Sequence, residues 1–326
     1  MSEGLERSHP AFSFSYPGAV AVNALIDRTI ANIGDVLLGK ELEIRQALCC
    51  MLAGGHLLLE DMPGMGKTTL AHALATTLGM SFGRVQFTSD LLPSDILGVT
   101  IFNSESAQFD FQPGPIFNQV LLADEINRAT PRTQSALLEA MAESQVSIDG
   151  ETRPLPSPFF VIATQNPIHQ SGTYALPESQ LDRFLMRLSL GYPSAQAERQ
   201  LLLRGERRGN VSLPASISAD ELTAIRAAVA EVTLSDSLLA YIQRLTAFTR
   251  NAPEFAMGLS PRGALALVAA ARTWAMMTGR RYVVPDDVQA VIEPVVAHRL
   301  VPSADYAGDG AALVAMMQRS VDVIPD

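Results

Sequence analysis

Residues 57–68 read LLLEDMPGMGKT. The apolar run Leu57-Leu58-Leu59 predicts a buried strand, and Pro63, Gly64 and Gly66 predict a loop. Lys67, Thr68 and Thr69 then open a segment of helical spacing that closes near Leu78. Strand, glycine-rich loop and helix in that order form a phosphate cradle. Glycines let successive backbone N–H groups turn toward one anion, and the helix N-terminus adds partial positive charge. In such a cradle Pro63, Gly64, Met65, Gly66, Lys67, Thr68 and Thr69 surround the phosphates of ATP. Lys67 reaches the β/γ-phosphates, and the Thr68 hydroxyl sits on Mg²⁺. One residue departs from the pattern G-x-x-x-x-G-K-[ST], since Asp61 stands in place of the first glycine. That departure puts a tight turn around the β-phosphate in doubt, while Gly64, Gly66, Lys67 and Thr68 supply the closest approach.

Working outward, residues 119–129 read QVLLADEINRA, an apolar strand that delivers Asp124 and Glu125 at its C-terminal end, where open α/β sheets bind ligands. Adjacent strand residues point to opposite sides, so the two acids can have separate jobs. Asp124 is expected to hold Mg²⁺ and Glu125 to polarise the water that attacks the γ-phosphate. An apolar strand ending in two acids is weak evidence alone and strong evidence downstream of a phosphate loop. In VIATQNP (161–167) a further buried strand brings the Asn166 amide to the same edge, able to hold the water or the γ-phosphate. LPESQLDRF (176–184) puts Arg183 at the end of a short helix, either paired with Asp182 or aimed at a phosphate. In GLSPRG (258–263), Ser260 and Pro261 start a helix and Arg262 falls in its first turn, where a cation opposes the helix dipole. A nucleotide phosphate opposite would offset that.

The remaining chain alternates helices and strands up to Tyr192. Residues 1–18 read as a loosely ordered arm, 19–33 and 41–53 as helices, and 84–88 and 185–190 as strands. Two hairpins interrupt the alternation, one with strands near 99–102 and 109–111, the other joining 146–148 to 151–155 through Asp149-Gly150. Thr130 caps and Pro131 opens a helix whose core stripe is Leu137, Leu138 and Met141. Beyond Tyr192 only helical patterns remain, at 194–208, 219–231 (with the capping pair Ser218 and Glu221), 235–250, 261–278 and 285–299. The expected organisation is an α/β domain over 19–192 and a helical domain over 193–326.

Composition bounds the partners. With 48% hydrophobic residues among 326, the chain can fill a sizeable core, and 24 basic against 34 acidic side chains give −10. That balance argues against non-specific binding to nucleic acid or to a membrane surface. The clusters Arg204, Arg207, Arg208 and Arg280, Arg281 read as solvated helix faces. Cys49 and Cys50, adjacent on a helix, make an unlikely disulfide and point to a reducing cytoplasm. No N-terminal signal and no apolar run long enough to span a membrane is present in the sequence.

The ordered set EDMPGMGKTT (60–69), QVLLADEINRA (119–129), VIATQNP (161–167), LDRF (181–184) and GLSPRG (258–263), together with QFTSDLLPSDILG (86–98), closely resembles the MoxR family of AAA+ ATPases over roughly residues 19–300. The resemblance implies a P-loop αβα sandwich with a central parallel sheet and hairpin insertions, followed by an all-α lid. It implies Walker A at Gly64 to Thr68, Walker B at Asp124 and Glu125, sensor 1 at Asn166, an arginine finger at Arg183 and sensor 2 at Arg262. Arg128 or Arg132 is the alternative finger. It further implies a homo-oligomeric, hexameric ring that hydrolyses ATP with Mg²⁺ to remodel a protein client or assist metal insertion. A separate protein with a von Willebrand factor A domain is the expected partner. The hairpins also resemble those of MCM helicases, so a nucleic-acid motor is the competing expectation.

Overall fold

A computed structural model describes residues 19–166, 172–204 and 213–324. The expected arm at 1–18, Pro167, and the side chains of Arg204, Arg207 and Arg208 lie outside what it describes. In chain order the elements are α1 (Ala19–Gly34), α2 (Glu41–Leu52), β1 (His56–Glu60), α3 (Lys67–Thr77), β2 (Phe82–Gln86), α4 (Pro93–Leu97), β3 (Gly98–Asn103), β4 (Gln108–Pro113), β5 (Val120–Asp124), α5 (Pro131–Glu143), β6 (Gln145–Ile148), β7 (Glu151–Pro154), β8 (Phe160–Gln165), α6 (Glu178–Leu181) and β9 (Phe184–Leu188). The second part holds α7 (Ala195–Arg204), α8 (Ala219–Glu231), α9 (Asp236–Asn251), β10 (Phe255–Met257), α10 (Pro261–Met277), α11 (Pro285–Val296), β11 (Val301–Pro302) and α12 (Gly310–Ser320).

Five parallel strands run β2-β5-β8-β1-β9, with β1 between β8 and β9. Both faces are buried, which is why these strands read as continuous apolar runs. Successive residues feed opposite cores. Leu57, Leu59, Val120 and Leu122 face the cluster that contains α1, α2 and the lid, while Leu58, Leu121 and Ala123 face α5. Parallel pairing puts every strand's C-terminus at one edge, so Glu60, Asp124 and Gln165 emerge together. The opposite, amino edge begins at His56, beside Phe184.

The hairpins β3–β4 and β6–β7 are antiparallel inserts outside the main sheet. Asp149 (φ 53°) and Gly150 (φ 81°) make the tight turn of the second, the left-handed pair that an Asp-Gly sequence accommodates. Several details differ from expectation. The second strand runs over Phe82–Gln86, two residues early, because Phe82 already pairs with Val120. Thr130 precedes α5 but its hydroxyl meets that of Thr133 instead of capping. The last predicted helix ends at Val296 and tightens into a 3-10 turn to Arg299. The helix α4 and the β10–β11 ribbon are too short to show a period in the sequence, and α12 lies beyond the last expected helix although Leu313 and Met317 recur on its buried side. Arg280 is not on a solvated face: it grips the buried Asp287 carboxylate through two 2.6 Å bonds.

Candidate functional site

The carboxyl edge of the sheet gathers most of the predicted site. Gly64 (φ 86°) and Gly66 (φ 95°) take the left-handed conformations that let the loop curl, and at Gly66 a Cβ would lie 2.7 Å from Leu37 Cδ1. Lys67, buried at the start of α3, donates to the Asp61 carbonyl at 2.7 Å, to Asn166 Oδ1 at 3.1 Å and to the Gln165 carbonyl at 3.4 Å. Burial pulls its ammonium below the ordinary lysine value, opposed by the charges of Asp61, Asp124 and Glu125. Pro63, Gly64, Thr68 and Thr69 are exposed, with Met65 and Gly66 partly covered, so the loop is open to solvent.

Asn166 turns its other end to Glu125, donating from Nδ2 to Oε1 at 2.8 Å. The chain Lys67–Asn166–Glu125 is therefore continuous. Glu125 lies just past β5 with φ 56° and ψ 50°, a strained setting for a non-glycine residue, and its N–H donates to Thr164 Oγ1 at 2.8 Å. It does not sit on the strand opposite Asp124, as the alternation rule had it; the left-handed turn separates the two acids. Asp124 Oδ1 accepts the Thr164 hydroxyl at 2.7 Å, and Arg84 reaches Oδ2 at 2.6 Å. The remaining Glu125 oxygen, Oε2, takes Gln86 Nε2 at 2.9 Å and Arg128 Nε at 3.1 Å.

Two arginines are not brought to this edge. Arg183 directly precedes Phe184, which pairs with His56 at the start of β1, and its guanidinium donates to the Leu138 carbonyl at 2.7 Å. It lies one strand length from Lys67, ~16 Å for five residues. Asp182, its expected local partner, belongs instead to Arg299 (2.7 Å) and Ser260 (3.4 Å). Ser260 caps α10, so Arg262 in the next turn is held at this same amino edge. Arg262 is exposed and makes no hydrogen bond or ion pair among the described residues.

Comparisons with known proteins bear on this geometry. Residues 56–186 match the ATPase family associated with various cellular activities (AAA), and residues 247–318 match the AAA lid domain. The chaperone MoxR1 of Mycobacterium tuberculosis is 40% identical over 93% of this chain and 82% of its own length. Protein MoxR of Paracoccus denitrificans is 35% identical over 90% of this chain and 94% of its own. The chain is a MoxR-family AAA+ ATPase. YeaC of Bacillus subtilis is similar at 44% identity over 93% of this chain and 96% of its own. The crystal structure of a candidate ATPase from Cytophaga hutchinsonii superposes with a TM-score of 0.87 at 35% identity, covering 94% of this chain and 97% of that one.

Within this MoxR-family fold the sheet edge also holds residues that the sequence reading passed over. Arg84 and Gln86 share one face of β2 and grip Asp124 and Glu125 respectively, while Thr164 links both acids from inside β8. The signal was present as polar residues at alternate positions of a short strand and as a hydroxyl within an apolar run. Neither says which acid it meets until the strand order is known.

Proposed function

We propose that the chain is a ring-forming ATPase, hexameric, that converts ATP hydrolysis into remodelling of a protein client. The continuous Lys67–Asn166–Glu125 chain beside Asp124 carries the reading. Lys67 and the loop N–H groups bind the β/γ-phosphates, Glu125 takes the proton from the attacking water, and Asn166 holds that water and the γ-phosphate in register. The oxygen donors Thr68 and Asp124 suit Mg²⁺, which supplies charge neutralisation on the phosphates when bound. The rest of the chemistry belongs to the chain's own groups.

Arg183 and Arg262 stand at the amino edge, too far along the sheet to touch their own chain's phosphates. In a ring the amino edge of one subunit faces the carboxyl edge of the next, so both arginines complete the neighbour's site. The nucleotide phosphate expected opposite Arg262 is then the neighbour's. Arg128, tied to Glu125 in the same chain, fits the finger role less well, and exposed Arg132 has no such link.

A von Willebrand factor A protein as separate partner, metal insertion as one outcome and a cytoplasmic setting complete the proposal. Two buried free cysteines favour that setting, with burial pushing the Cys50 thiol up to about 12. A nucleic-acid motor is disfavoured, since residues 98–113 of the first hairpin contain no Lys or Arg to track a phosphate backbone.

Mixing tests the ring. Arg183→Ala retains a working phosphate loop, and Lys67→Ala retains a working finger. Each alone is expected to lose turnover, the former by ~10³–10⁵, and their mixture to regain it in a concentration-dependent way. Mixed rings that stay inactive, or normal hydrolysis by Arg183→Ala alone, would contradict the assignment.

A further inference from the structure

Asp61 stands where the phosphate-loop pattern has glycine, and it is buried, with 8% of its surface exposed. A buried carboxylate persists only where donors neutralise it. Three do: the Ser189 hydroxyl at 2.8 Å, the Gly191 N–H at 3.2 Å and the Leu190 N–H. All belong to residues 189–191, which leave β9 and lead into α7 and the lid. The main chain of the same residue is committed to the nucleotide edge. Its N–H donates to the Gln165 carbonyl at 3.3 Å, and its carbonyl accepts the Lys67 ammonium at 2.7 Å.

The outgoing segment has one further tie to the same neighbourhood. The Tyr192 carbonyl accepts Lys40 Nζ at 2.9 Å, and Lys40 ends the loop whose Leu37 packs on Gly66. The Tyr192 side chain itself is 76% exposed.

We propose that Asp61 is a positioning residue that couples occupancy of the phosphate loop to residues 189–192, the covalent route from the sheet to the lid. The inference rests on the nucleotide reading above. A phosphate group at Lys67 competes with the Asp61 carbonyl for the ammonium and adds negative charge beside the Asp61 carboxylate. That carboxylate then depends more on the donors of 189–191 and holds them tighter. Carbonyl and carboxylate belong to one residue, so the coupling needs no intermediate side chain.

Hydrogen exchange at the Leu190 and Gly191 amides, with and without saturating Mg²⁺ and ADP, tests this. Wild type is expected to gain about tenfold protection on nucleotide binding, within the usual range of coupling between linked sites. Asp61→Gly, at saturating nucleotide, is expected to lose the difference between the two states. A purely structural Asp61 would instead lower protection equally in both and leave the difference intact. Ser189→Ala lies outside the phosphate loop, and it is expected to keep ADP affinity within about threefold while shrinking the response. It decides the matter should Asp61→Gly not fold. Nucleotide binding with unresponsive amides in wild type, or a full response in Ser189→Ala, overturns this inference alone. Failure of a fluorescent ADP to bind would overturn the nucleotide reading as well, and is seen before any exchange is measured.

Discussion

The two edges of the central sheet treat their charged groups differently. At the carboxyl edge Asp124, Glu125 and Asn166 surround a buried Lys67, and each acid is already held by cations or amides of its own chain. At the amino edge three arginines, Arg183, Arg262 and Arg299, share one acid, Asp182, which Arg299 takes. Arg299 is buried and spent on Asp182 and on the Phe184 and Leu185 carbonyls, while Arg262 is exposed and unengaged among the described residues. Arg299 rivets the lid to the sheet, and Arg262, whose charge reaches Arg299, is left without a partner among the described residues. An arginine that no acid of its own chain holds is available to a neighbour's phosphate.

Removing the rivet should have the largest effect on stability. Arg299→Ala breaks a nearly buried ion pair and removes a donor from each of the Phe184 and Leu185 carbonyls, and is expected to cost about 3–5 kcal/mol in urea unfolding. A loss under 1 kcal/mol would mean that apolar packing of α11 on β9 holds the lid without it.

Arg262→Ala sharpens the comparison between the edges. It should fold normally and lose hydrolysis by about 10–100-fold, the worth of one charge-assisted hydrogen bond. Mixed with Lys67→Ala it should recover, because the neighbour supplies the arginine. No recovery in mixed rings would return Arg262 to its own chain's site.

Acid should weaken the amino edge through its histidines. His56 Nδ1 accepts the Val161 N–H at 3.0 Å and Nε2 donates to the Met141 carbonyl at 3.3 Å, an arrangement only the neutral ring can make. Burial lowers its pKa to about 4, and burial with the Arg299 charge beside it holds His298 well below its ordinary value. Both folded values lie under the unfolded ~6.5, so the unfolded chain binds protons first. Stability is complete above that pH and falls as pH drops toward 4, by roughly 1.4 kcal/mol at pH 5.5 for His56, with His298 acting in the same direction. His56→Gln should flatten part of this dependence in thermal unfolding.

The legible parts of the molecule were those written in local sequence. Strand, loop and helix at 56–77, the acid pair at the end of β5 and the Asp-Gly hairpin follow from short-range periodicity and turn chemistry, and the structure has them within two residues. Three-dimensional partnerships were not legible. Nothing in LDRF says that Asp182 serves Arg299, 117 residues on, or that α10 docks at the amino edge. Those follow from strand order and from how α11 lies on β9. Asp61 read as a defect in a motif because its partners, 189–191, follow a strand that pairs beside β1 only in the fold.

The central claim is that Glu125, held ready by Asn166, activates water for ATP hydrolysis. Glu125→Gln keeps the shape and the hydrogen-bond reach but is a far poorer proton acceptor. Measured side by side, ATP binding and steady-state turnover of this variant should separate: affinity near wild type, hydrolysis down by ~10² or more. Turnover above about a tenth of wild type, or loss of ATP binding together with activity, would contradict the account.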